Sequence, residues 1–111
     1  MTRSIVYAIV LVAGVTATAA AQDAKVTRGA QVYVEQKCSL CHSIGDKGNK
    51  KGPLDDVGSM RSLEDLRAWI VDAKGMTVKT KAPRKPEMKS YTLAKDDLDA
   101  LVAYLASLKK K

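Results

Sequence analysis

Three stretches of the chain carry apolar residues at helical spacing, and none shows the alternation of a half-buried strand. From about Thr27 to Lys37, Ala30, Tyr33 and Val34 fall along one side. Gly29 within this stretch costs a helix about 1 kcal/mol against alanine, which fits a place where a second helix comes close. From about Leu63 to Ala73, the residues Leu63, Leu66, Trp69, Ile70 and Ala73 share a face. Ser62 with Asp65 three residues on resembles a capping box, and Gly75 offers a stop. The third stretch runs from about Ala94 to Leu108, after Thr92 as a candidate cap. Leu98, Leu101, Val102, Leu105 and Leu108 form its stripe. Asp96 and Asp97 open it and Lys109 to Lys111 close it, an order that suits the helix dipole. The pattern predicts an all-α fold.

Two intervals interrupt the helices. Residues 43–61 are rich in Gly and Lys. Residues 74–91 hold Pro83 and Pro86 and are expected to be irregular. A loop of that length in a small domain is usually functional or disordered.

A different pattern opens the chain. Arg3 is the only charge before Asp23, and Ile5 to Val15 is apolar apart from Gly14. Small residues follow, with Ala19-Ala20-Ala21 as an A-x-A cleavage site. This reads as a secretory signal peptide over 1–21, followed by one domain over 22–111. The alternative is an uncleaved N-terminal membrane anchor, for which the apolar run is short against the roughly 20 residues of a span.

Composition adds a constraint on the core. Without Arg3, eighteen of the nineteen basic residues remain against twelve acidic ones, a net charge of +6. Phe is absent, and beyond residue 21 the aromatics are Tyr33, Trp69, Tyr91 and Tyr104. A domain this small often needs a staple, and here large core side chains are scarce. A bound macrocycle would fill such a core. A disulfide between Cys38 and Cys41 would close too small a loop to stabilise the fold much.

Cys38-Ser39-Leu40-Cys41-His42 is a C-x-x-C-H segment, the pattern of c-type haem attachment. Two thiols at this spacing reach the two vinyl groups of one porphyrin, and the adjacent imidazole lies under the iron. His42 is the only histidine in the chain. A dithiol redox pair is expected beside a βαβ pattern, and none is visible. A structural zinc site wants four ligands, while Cys38, Cys41 and His42 supply three. For the second axial position the soft candidates are Met60, Met76 and Met88. Met88 ranks first because a proline-bearing loop just before the last helix can fold back over the opposite haem face. For each methionine, plain core filling is the alternative.

These residues resemble the small bacterial members of the class I mono-haem cytochromes c, from about Gly29 to Leu108. In that family the first and last helices cross at a glycine–aromatic contact, which would involve Gly29, Tyr33 and Tyr104. Gly52-Pro53-Leu54 resembles the segment whose proline carbonyl accepts a hydrogen bond from the axial histidine, so Pro53 would orient His42. Trp69 would pack beside the methionine ligand. Pro86-Glu87-Met88-Lys89-Ser90-Tyr91 resembles the ligand loop, with Tyr91 as its aromatic. The resemblance implies three main helices around one covalently bound haem c, with His42 and Met88 on the iron. Two departures stand out. The Tyr33–Cys38 interval is one residue longer than in many members, and Ala73-Lys74-Gly75 replaces a proline after the third helix.

A six-coordinate haem has no vacant position for substrate, so this reading gives an electron carrier working through redox protein partners, not an enzyme. A five-coordinate haem acting on gas or peroxide, and a haem subunit of a larger oxidoreductase, are the competing readings. Lys74, Lys79, Lys81, Arg84, Lys85 and Lys89, opposed by Glu87, would steer a partner with an acidic docking face. A solvated loop is the plainer account of the same charges. Export, expected to a periplasmic or similar extracytoplasmic space, separates the chain from nucleic acid. The terminal lysines allow at most a peripheral membrane contact.

Overall fold

The computed structural model describes residues 11–110. The first ten residues of the expected 1–21 signal segment lie outside the described residues. Helix α1 spans Leu11–Glu35, so it begins well before the Thr27 expected from the apolar spacing. Residues 18–25 are all exposed, and from Val26 onward residues of α1 begin to be buried. The buried face is Gly29, Val32 and Tyr33, not the expected line of Ala30, Tyr33 and Val34. Val32 is 0% exposed and Val34 is 73% exposed. No helix among the described residues is long and apolar enough to cross a membrane.

Helix α5, Lys95–Ser107, packs across α1. A Cβ on Gly29 would collide with the Ala100 carbonyl and with Tyr104 Cβ. The Tyr33 and Tyr104 rings meet edge to face at 5.8 Å between centroids. Alanine's methyl is therefore excluded at 29, and the intrinsic helix cost of glycine is offset by close backbone packing. Arg28 bridges the same two helices through Asp97 at 3.0 Å. Helix α5 buries Leu101, Val102 and Leu105, while Leu98 and Leu108 are partly buried. Its N-cap is Ala94, without a side-chain cap, so Thr92 does not serve.

Helix α3, Leu63–Val71, starts where Ser62 Oγ accepts from Asp65 N at 3.1 Å. Leu66 and Ile70 enter the core with Val32, Tyr33 and the α5 stripe. Leu63 is left exposed. Helix α2, Val57–Met60, lies against α5, and Gly58 N donates to the Leu108 carbonyl at 2.7 Å.

The interval after α3 departs from expectation. Ala73–Thr80 forms a further helix, α4, where an irregular path was predicted. Gly75 stands inside it and stops nothing. Asp72 caps it by accepting from Gly75 N at 3.1 Å, and Ala73, Met76 and Thr77 are buried. Lys81, in the left-handed region at φ 55°, ends it. The remaining stretch, 82–94, is irregular and tied down where Tyr91 N donates to the Ile70 carbonyl at 2.8 Å. A two-residue antiparallel hairpin, β1 Ser43–Ile44 and β2 Lys47–Gly48, is the one sheet among the described residues.

Candidate functional site

Between α1, α3, α5 and the 82–94 loop lies a cavity of about 840 Å³, lined mainly by apolar side chains. That is the size of site that holds a cofactor or drug-sized ligand. Cys38, Cys41, His42, Pro53, Trp69, Met88 and Tyr91 all line it, although the sequence scatters them over more than fifty residues. Of the other methionines, Met60 lines the cavity but is 77% exposed. Met76 is buried in the core and is not part of the wall.

The cysteine segment is shaped by the end of α1. Glu35 closes that helix, and Lys37 turns into the left-handed region at φ 57°. A single 3-10 turn, Cys38–Leu40, follows, and His42 N donates to the Cys38 carbonyl at 2.9 Å. The winding brings both thiols and the imidazole to one wall. Neither cysteine is in a disulfide, and burial pushes the Cys38 thiol above its ordinary range.

His42 Nδ1 lies 3.0 Å from a backbone carbonyl, and that carbonyl belongs to Gly52. The family resemblance implied Pro53 as the acceptor, so the partner is one residue earlier. The reason lies in the strand-like run beside it. Ser43 N donates to the Gly52 carbonyl at 3.1 Å, and Leu54 N donates to the Ser43 carbonyl at 2.9 Å. This fixes the Gly52 carbonyl toward the His42–Ser43 pair, while Pro53 is left as part of the cavity wall. A carbonyl only accepts, so Nδ1 carries the hydrogen and Nε2 keeps its lone pair. Burial holds the imidazole below its ordinary pKa; the bond to Gly52 opposes that, and the nearby Arg84 charge adds to it. The ring is thus kept neutral and oriented, as a metal-binding histidine must be.

Two lining residues each carry a buried polar atom without a partner among the described residues: Trp69 Nε1 and Tyr33 Oη. Burial pushes the Tyr33 hydroxyl up to about 12. A buried donor without an acceptor is costly, so such atoms point to a group that the polypeptide does not supply. Arg61 stacks over the Trp69 ring at 5.8 Å. Gly52, Tyr33 and Arg61 were not visible to sequence reasoning as site residues. A proline after the glycine and an arginine just ahead of the Ser62 cap are too weak as signals.

The donor set fits a haem. Two thiols, one oriented imidazole nitrogen and a thioether share one largely apolar chamber. Among the described residues no group of three or more His, Cys, Asp and Glu is arranged to hold a metal ion, so the zinc reading gains no ligand set. The dithiol reading lacks its βαβ surroundings. Fold and site together define a helical haem-binding domain. Comparison with known proteins agrees: the cytochrome c family model matches residues 26–109, and the chain belongs to that family. The match begins where α1 begins to pack.

The chain is 33% identical over 91 residues to the cytochrome c oxidase subunit 2 of Alkalihalophilus pseudofirmus, covering 74% of this chain and 25% of that protein. The chain thus spans about a quarter of the length of that relative. No solved structure matches it. Membership of the family implies haem c, with its iron, as the group that a domain of this kind holds. Domains of this family typically work outside the cytoplasm.

Proposed function

We propose that the chain is an exported one-electron carrier with a single haem c. In this reading Cys38 and Cys41 bind the haem through thioethers, and His42 and Met88 are the axial ligands. The observation that carries it is the convergence of all four side chains on one apolar cavity, with His42 already oriented by Gly52. The haem supplies a reversible one-electron change at iron. The polypeptide's share is different: the apolar walls exclude water, Gly52 holds the imidazole tautomer, and Met88 closes the position where a substrate would otherwise bind.

Met88 is favoured over Met60 because it is half-buried on a loop tied to α3, whereas Met60 is mostly in solvent. Replacing Met88 by alanine is expected to abolish the weak red-end methionine–iron band of the ferric protein. The variant should also lower the potential and admit cyanide or carbon monoxide. The same effects from Met60→Ala, with Met88→Ala inert, would overturn the assignment.

Residues 1–21 are read as a cleaved secretion signal and 22–111 as the cytochrome domain, placing the protein in the periplasm or an equivalent extracytoplasmic space. The exposure of residues 18–25 and the start of the family match at residue 26 support a domain boundary near there. A partner with an acidic docking face is favoured by the exposed Lys74, Lys79, Lys81, Lys85 and Lys89, of which Lys89 lines the cavity together with the exposed Leu40 and Met60. An apolar centre within a charged rim is the usual build of a docking patch. The likeness to an oxidase subunit favours a second reading, in which this domain delivers electrons within an oxidase complex. Co-purification of the native protein with an oxidase would support that reading over a free carrier.

A further inference from the structure

Arg84 lies four residues before Met88, yet its guanidinium rests on the opposite loop of the site. A Cβ built on Gly52 would collide with Arg84 Nη1 and the Cys41 carbonyl, and would stand 3.0 Å from Arg84 Cζ. The guanidinium therefore fills the space that any side chain at 52 would need. Gly52 is also the residue whose carbonyl holds His42 Nδ1 at 3.0 Å. Arg84 is half-buried and lines the cavity. It has no ion pair or hydrogen bond with any described residue, whereas its neighbour Lys85 pairs with Glu87 at 2.8 Å. A half-buried cation without a counter-charge is unfavourable unless something else is gained.

We propose that Arg84 is a positioning residue that locks the methionine loop onto the Gly52 turn and sets a fixed positive charge beside His42, favouring reduced over oxidised iron. This rests on the reading that His42 is an axial ligand. The physics has two parts. Ferric iron carries one more positive charge than ferrous iron, so a nearby cation penalises the oxidised form. The Gly52 carbonyl draws on Nδ1–H and makes His42 a stronger donor, and a cation against the same turn opposes that effect. Arginine suits the role because its planar group lies flat on backbone and does not lose its charge.

The test is a redox titration of the exported, haem-loaded protein and its Arg84→Gln, Arg84→Lys, Gly52→Ala and double Gly52→Ala/Arg84→Gln variants. Arg84→Gln is expected to shift the ferrous-to-ferric ratio at fixed potential toward ferric by up to about tenfold, or 59 mV for one electron. Arg84→Lys should recover most of the shift. Gly52→Ala should displace the guanidinium, reproduce the shift, and add little in the Arg84→Gln background. The His42 Nδ1–H resonance should move in step. An unmoved potential in Arg84→Gln, equal potentials for the Gln and Lys variants, or full additivity of the double variant would each overturn the proposal. Should Gly52→Ala fail to fold, the Gln and Lys variants decide alone. A wild-type protein without a low-spin, histidine-ligated spectrum would instead sink the underlying reading, before any variant is compared.

Discussion

Gly29 has no room for a methyl group. Its face of α1 meets the backbone of α5 at Ala100, and the Tyr33–Tyr104 ring contact sits beside that crossing. Gly29→Ala is therefore expected to destabilise the domain by about 1–3 kcal/mol, the usual cost of overpacking, despite alanine's better helix propensity. A denaturant melt checks it, and an unchanged or raised midpoint would mean the helices are free to separate. At this scale much was legible. Gly29 was marked by its poor fit to a helix, and His42 by being the lone histidine after two cysteines. The His42 acceptor was not, because a carbonyl belongs to every residue. Only the hydrogen bonds that run Ser43 beside Gly52–Leu54 select Gly52 over Pro53.

Helices α3 and α5 could be read from their stripes, and the Ser62 cap from its residue type. Helix α4 could not. Its sequence, AKGMTVKT, combines glycine, two threonines and a valine, all poor helix formers, and it shows no clear apolar stripe. It forms because Asp72 caps it and because Ala73, Met76 and Thr77 are buried by their neighbours, so tertiary burial overrides propensity. The cap should then matter more here than in a strong helix. Asp72→Ala is expected to cost about 1 kcal/mol of stability. It should also speed amide exchange in residues 73–80 more than in α5. Equal protection in variant and parent would show that burial alone holds α4. The helical start of α1 was misplaced for a related reason: residues 18–25 are rich in alanine but make no core contacts, so apolar spacing carries no information about them.

Across the whole molecule, the cluster of seven buried residues shares Tyr33, Leu66, Ile70, Leu101 and Leu105 with the cavity wall. The scarcity of aromatics foreshadowed that a non-polypeptide group completes the interior. Its walls were beyond sequence reading, since they come from all five α-helices and from loops distant along the chain. The charge is also arranged at this scale. Lysines from α4 and the methionine loop are exposed, and between Lys74 and Lys89 only Glu87 is acidic, paired with Lys85. Electron-transfer rates with an acidic protein partner are expected to fall steeply as ionic strength rises, because screening shortens the reach of such fields to about 8 Å at physiological salt. A flat salt dependence would reduce those lysines to a solvated surface.

The most direct measurement is the visible spectrum of the exported protein, denatured and reduced in alkaline pyridine. Thioether bonds from both cysteines shift the pigment's band to the position of a doubly linked haem, and one haem per chain should survive acid–acetone extraction. A colourless polypeptide with two alkylatable thiols, or a pigment that washes out with solvent, would contradict the account at its root.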